Sequence, residues 1–278
     1  MRKRLLKKII ALTALLAVVI VMIVAAVMYL PKYVFKHAKN YPDDLDYAVS
    51  PMLAENIKSD WDAEWIWTKK SEKNTYVAFR YPFTLDKLPE TAVASIAVDG
   101  KYKLYINGEL AVVDGGLKRG PTSTGTYYEN VDIKNFLKTG ENIIAALVDY
   151  FGEDGFSHND SGHGGFLFEA DLGDMKIKSG AGWKAKKIEN YEKNFFVAIS
   201  SPNYRLPESR VIYNALGEEN FTDNAYDDSL WKNAVSFGEG GSAPWNDLHR
   251  RVTPAFRDNG IKSFVNSAEY EGTTTKKR

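Results

Sequence analysis

Two alternating apolar runs, Tyr102-Lys103-Leu104-Tyr105-Ile106 and Leu110-Ala111-Val112-Val113, meet at Asn107-Gly108. Asn-Gly readily takes positive φ at both centres of a type I′ turn, whose twist matches that of the flanking strands, so the sequence predicts a tight β-hairpin here. Gly115-Gly116-Leu117-Lys118-Arg119-Gly120-Pro121 follows, a loop dense in glycine and cations. A rigid hairpin feeding a polar loop is a common way to present a binding surface.

The rest of the chain extends this β reading. Among 278 residues there are 16 Tyr, 14 Phe and 6 Trp, a mix that favours strands over a helical bundle. Strands are predicted at 65–67, 76–83, 92–98, 126–131, 143–150, 165–170 and 183–186, with Pro82 placing the end of its strand at an edge or bulge. The 143–150 run is apolar on both faces and reads as a central strand. One helical turn is expected at 132–137, ended by the Lys138-Thr139-Gly140-Glu141-Asn142 turn. Residues 191–250 are less regular, with a strand near 209–213 and a cap followed by one or two helical turns at 226–231. No strand–helix alternation supports a doubly wound fold. The expectation is an all-β, antiparallel, jelly-roll-type β-sandwich over residues 61–255, with a polar tail at 256–278.

Residues 1–39 differ in kind. Arg2-Lys3-Arg4 and Lys7-Lys8 precede an apolar run from Ile9 to Leu30 broken only by Thr13. As a helix this run is about 33 Å long, enough to cross a bilayer core. It exceeds the apolar region of a cleaved signal and carries no clear cleavage pattern. The expected arrangement is a single transmembrane signal-anchor at the cell membrane, cytoplasmic at its basic tip, with a linker at 40–60 and everything beyond it extracellular.

Charge and cysteine content limit the function. Residues 1–39 carry eight of the 36 Lys and Arg and none of the 36 acids. The remainder, at 28 basic against 36 acidic residues, lacks the electrostatic footprint of a nucleic-acid binder. Cysteine is absent, which excludes disulfides, thiolate metal sites and cysteine nucleophiles.

Trp65-Ile66-Trp67, Phe79-Arg80, Leu104 to Gly108, Gly116 to Pro121, Asp149 to Gly152, Gly155 to His158, Pro202 to Ser209, Tyr226 to Trp231 and Pro244-Trp245-Asn246 together carry a resemblance. In this order and spread the chain resembles the N-terminal region of bacterial α-L-rhamnosidases, over nearly all of residues 61–260. The resemblance implies β-sandwich accessory domains that help to recognise substrate, with the catalytic acids on an (α/α)6 barrel that lies beyond this region. Tyr213-Asn214-Ala215-Leu216 departs from a tyrosine-aspartate-alanine-arginine pattern in relatives, and so removes one negative and one positive charge.

Sugar recognition stacks C–H faces on aromatic rings and reads hydroxyls with amide, charged and imidazole groups. Lys118, Arg119, Tyr127, Tyr128, His158, Asn203, Arg205 and Trp245 supply those chemistries in or beside predicted loops, either for a carbohydrate or for a neighbouring domain. Packing with a polar tip left outside is the plainer alternative for each ring. His158 and His163 flank Asp160 in a spacing that fits no standard metal motif, so no metal or cofactor is expected. Hydrolysis needs two carboxyl groups across the scissile bond, and the sequence singles out no such pair. The expected partners are a carbohydrate, with rhamnose-containing glycans foremost, a separate catalytic barrel, and the membrane. A self-sufficient glycosidase and a protein-docking module remain as alternatives.

Overall fold

The computed structural model describes residue 58 and residues 60–116, 125–152, 159–193 and 211–256. The apolar run expected to span a membrane lies outside these residues. Among the described residues no helix is long and apolar enough to cross a bilayer.

Two sheets pack face to face. The first runs, edge to edge, β14 (Val235–Glu239), β1 (Glu64–Trp67), β8 (Phe166–Asp171), β3 (Val93–Val98), β6 (Thr126–Asp132) and β15 (Leu248–Arg250), with β9 (Lys176–Lys178) added against β8. The second runs β13 (Lys232–Asn233), β10 (Lys184–Ile188), β2 (Thr75–Leu85), β7 (Gly140–Tyr150), β4 (Lys101–Ile106) and β5 (Glu109–Gly115). A separate hairpin joins β11 (Tyr191–Lys193) to β12 (Val211–Tyr213). The expected β-sandwich is present. One pairing corrects the expectation of a wholly antiparallel one, because β15 lies parallel to β6. The chain reaches β15 from β14 at the opposite edge of the same sheet, by way of residues 240–247, so no tight hairpin dictates its direction.

Period-two alternation builds the core. Val77 and Phe79 of β2, Leu104 and Ile106 of β4, and Ile144, Ala146 and Val148 of β7 meet Ile96, Val98, Phe166 and Phe168 of the opposite sheet. Phe79 and Phe166 touch across the interface at 5.0 Å between ring centroids. β7 is apolar on its other face as well, because Ile143, Ala145 and Leu147 lie under a second cluster outside the sandwich. β10 covers only Tyr76–Arg80 of β2, so Pro82 falls where that side of the strand is open and no ladder bond needs its missing N–H.

The hairpin turn forms as predicted, with φ of 53° at Asn107 and 84° at Gly108. The Asn107 side chain also ties the sandwich end together. Its Nδ2 donates to Phe136 O and Asn142 Oδ1, both at 2.8 Å. Its Oδ1 accepts from Ile143 N and from Asn224 Nδ2. The turn expected at 132–137 is a 3-10 turn over Lys134–Phe136.

After β12 the chain covers both outer faces in succession. Residues 214–231 lie over the second sheet, where Phe221 and Trp231 join its outer cluster. Residues 240–248 lie over the first, where Trp245 and Leu248 join another. Between these covers, β13 pairs with β10 and β14 with β1. Ala234 alone separates the two strands, sits in the central core and donates its N–H to Trp183 O at 2.7 Å.

Candidate functional site

Five of the eight residues expected to read a ligand, Lys118, Arg119, His158, Asn203 and Arg205, lie outside the described residues. The other three sit on or beside β6. Tyr127 is half-buried there, and burial lifts its hydroxyl above the ordinary range. Tyr128 and Trp245 are packing residues instead, which corrects the expectation that their rings face a ligand. Trp245 has no exposed surface and stacks on Trp65 at 4.3 Å and 17°. Tyr128 is buried edge-on against Trp61 at 5.4 Å. Residues 164–165 are Gly-Gly for this reason: a Cβ on Gly165 would lie 2.6 Å from the Trp245 ring, and one on Gly164 2.4 Å from Trp67. His163 belongs to the same packing, 4.2 Å from the Phe237 ring, with Ser161 bonding across its turn. Among the described residues no three His, Asp or Glu gather to hold a metal.

The second sheet's outer face is arranged differently. Arg80 alternates outward from Val77 and Phe79 and is buried beneath the 214–231 cover. Its Nε donates to Asp228 Oδ2 at 2.8 Å, and its guanidinium donates to the carbonyls of Phe221, Asp223 and Tyr226. This fork explains why the helical turns expected at 226–231 do not form. Asp227 bonds Ser229 N at 2.9 Å as a local cap. Asp228 and three carbonyls of the segment turn towards the guanidinium instead, and a buried cation outweighs the local preference for a helix.

Held this way, the cover leaves a groove of about 450 Å³ between residues 218–222 and the β11–β12 hairpin. Leu147 and Ile188 form its floor, and Tyr105, Tyr191, Tyr213 and Phe221 its rings. Tyr191 stacks on Tyr76 at 3.9 Å and 15°, and Tyr213 leans on Tyr191 at 5.0 Å. Glu218, Glu219, Asn190 and Asn220 supply polar groups along the walls. A hydrogen bond to Glu218 pushes the Tyr213 hydroxyl up to about 12. Burial, with the Glu218 charge behind it, also raises Tyr105 and Tyr191. All three hydroxyls therefore stay protonated donors at neutral pH. Glu219 accepts from Lys186 Nζ and from the Tyr226 hydroxyl, and both bonds hold its carboxyl below the usual range.

A depression of about 230 Å³ continues the groove, sharing Asn190 and Glu219 with it. There Asn190 Nδ2 donates to Asn214 O, and Asn214 Oδ1 accepts from Leu216 N. The asparagine in the departing Tyr213-Asn214-Ala215-Leu216 motif thus closes a turn that an aspartate would close equally well, and Leu216 is left 86% exposed. A third depression, about 630 Å³, lies between residues 84–91 and 172–175. It is larger but has no aromatic ring, so it offers no platform for a sugar face.

Sequence reasoning missed this groove. Its one legible sign was Tyr105, which alternates away from Leu104 and Ile106 on the Asn-Gly hairpin.

No protein-family model and no curated protein matches the chain. Solved structures do. The GH78 family rhamnosidase of Bacillus sp. GL1 matches over 71% of this chain at 25% identity and a TM-score of 0.60. The chain resembles part of a GH78 α-L-rhamnosidase. The α-L-rhamnosidase from Dictyoglumus thermophilum shares the fold, at 21% identity and a TM-score of 0.52 over 71% of this chain. The matched region is 20% of the Bacillus chain and 23% of the Dictyoglumus chain, so this chain spans about a fifth of the length of the rhamnosidases it matches.

Proposed function

We propose that the chain is a carbohydrate-recognition module that binds rhamnose-containing glycans and does not hydrolyse them alone. One observation carries this reading. An open groove combines tyrosine rings with acid and amide groups, on a sandwich that matches part of a rhamnosidase. Ring faces stack on sugar C–H groups while the tyrosine hydroxyls, Glu218 and Asn220 exchange hydrogen bonds with sugar hydroxyls. Tyr213 takes the ring role that the sequence suggested for Trp245 and Tyr128. Residues 1–39 anchor the module in the cell membrane with the sandwich outside, and a separate catalytic barrel cleaves what it captures. Lys118, Arg119, His158, Asn203 and Arg205 remain candidate readers of sugar hydroxyls or of that partner.

Calorimetric titration of the full chain in detergent with rhamnose-containing oligosaccharides tests this. Saturable binding without release of aglycone from an aryl rhamnoside is expected. Turnover abolished by one acid-to-amide change makes the module an enzyme. Absence of glycan binding, with a stable protein complex, makes it a docking module.

A further inference from the structure

The groove's form and charge narrow its ligand further, on the basis of the carbohydrate reading above. Tyr191 has one face covered by Tyr76, whereas Tyr213 is 43% exposed. Tyr213 is therefore the ring left to face a ligand. Its hydroxyl is bonded to Glu218, which fixes the ring before a ligand arrives and lowers the ordering cost of binding.

Among the described residues, the walls of the larger depression carry Glu218 and Glu219 and neither Lys nor Arg. The continuing depression holds Lys186 and Lys187. Lys186 is paired with Glu219, and Lys187 with Glu72 at 3.2 Å and Glu189 at 3.4 Å. Each described lysine lining the pair of depressions already faces a carboxylate. Among the described residues, an anionic sugar entering here meets Glu218 and finds each lysine already paired with a carboxylate, an arrangement that selects against it.

Size points to more than one sugar unit. The larger depression falls within the range that holds a small ligand, and the smaller one falls below it. Because the two share Asn190 and Glu219, the smaller is an extension of the larger. Its exposed Leu216 offers an apolar contact, and Asn214 a polar one.

We infer that the joined depressions take a neutral oligosaccharide of at least two units, the first lying on Tyr213 and the second beside Asn214 and Leu216, and that they reject uronic and sulfated sugars.

The test is an array of neutral, uronate-bearing and sulfated oligosaccharides probed with the full chain in detergent. Neutral hits are then titrated as monosaccharide and disaccharide, beside a disaccharide with a uronic acid in one position. The neutral disaccharide should bind at least fivefold tighter than the monosaccharide and at least tenfold tighter than its uronate counterpart. Tyr213→Ala should lower both neutral affinities at least tenfold, while Tyr213→Phe, which keeps the ring, should stay within about threefold. Leu216→Ser changes an exposed side chain and should remove only the gain from the second unit. Neutral binding with no such gain, equal uronate binding, or indifference to Tyr213→Ala overturns the inference and leaves the carbohydrate reading standing. An array with no hit of any kind removes both.

Discussion

The two outer faces of the sandwich are covered by one stretch of chain, yet they end in opposite states. Over the first sheet, Trp245 lies flat on Trp65 with the glycine at 165 letting the rings approach. That face is closed. Trp65 and Trp245 even bury their indole N–H groups without a hydrogen-bond partner among the described residues, at about 1–3 kcal/mol each, which the ring packing must outweigh. Over the second sheet the fastening is polar, through Arg80. Beside the buried Phe221 and Trp231, the half-buried rings there are tyrosines, whose hydroxyls need polar neighbours, so that face keeps an open groove. Covering a sheet and sealing it are separate outcomes, and the aromatic type decides between them.

Disrupting each face separately sharpens this contrast. The largest effect is expected from Trp245→Ala, which deletes a fully buried ring and should cost about 4 kcal/mol in denaturant unfolding. Sugar binding at the opposite groove should survive wherever the protein is still folded. Arg80→Met should cost about 3 kcal/mol, since it leaves Asp228 and several carbonyls without their partner; the pair keeps some water at Asp228, which holds the cost at the lower end of the range for buried pairs. Unlike Trp245→Ala, it should abolish ligand binding, because the groove's cover loses its fastening. Arg80→Lys should not rescue either property, since one ammonium cannot replace the fork. Gly165→Ala should cost about 2 kcal/mol by forcing a methyl group against two indole rings.

Tyr213→Phe should have the smallest effect, under about 1 kcal/mol, and a clear pH signature. The folded protein holds this phenolic proton up to about 12, whereas an unfolded tyrosine loses it near pH ~10. The bond's contribution is thus complete below pH ~10 and fades as pH climbs from there towards 12. In a near-ultraviolet titration of the folded protein, the late-ionising phase should shrink in the variant.

Much of the fold was legible because it rests on local signals. Asn107-Gly108 fixed the hairpin turn and its first pairs, Ile106 with Glu109 and Tyr105 with Leu110, before the register shifts at Leu104, and the doubly apolar 143–150 run could only be a strand covered on both sides. The C-terminal third was less readable for a physical reason. β14 and β15 are short and find their partners more than a hundred residues away in the chain, so neither has a turn to announce it. Trp245 showed its chemistry in sequence but not its burial, which depends on Trp65 and the distant Gly165. Tyr213 was visible only as part of a departing motif, since the groove exists through residues 188–191 and 218–222 meeting in space. Arg80 looked like one member of a Phe-Arg pair, and nothing local marked it as the fastening of a segment some 140 residues later.

The single residue between β13 and β14 has a wider consequence. One short thread, turning at Ala234, closes a seam on each sheet along the same side of the molecule. The edge left on each sheet there is itself short, two residues in β13 and five in β14, which makes it a poor template for a stranger to join. Loosening either seam pulls on the other, so amides at 232–236 should exchange with solvent together, in one opening event, although they belong to different sheets.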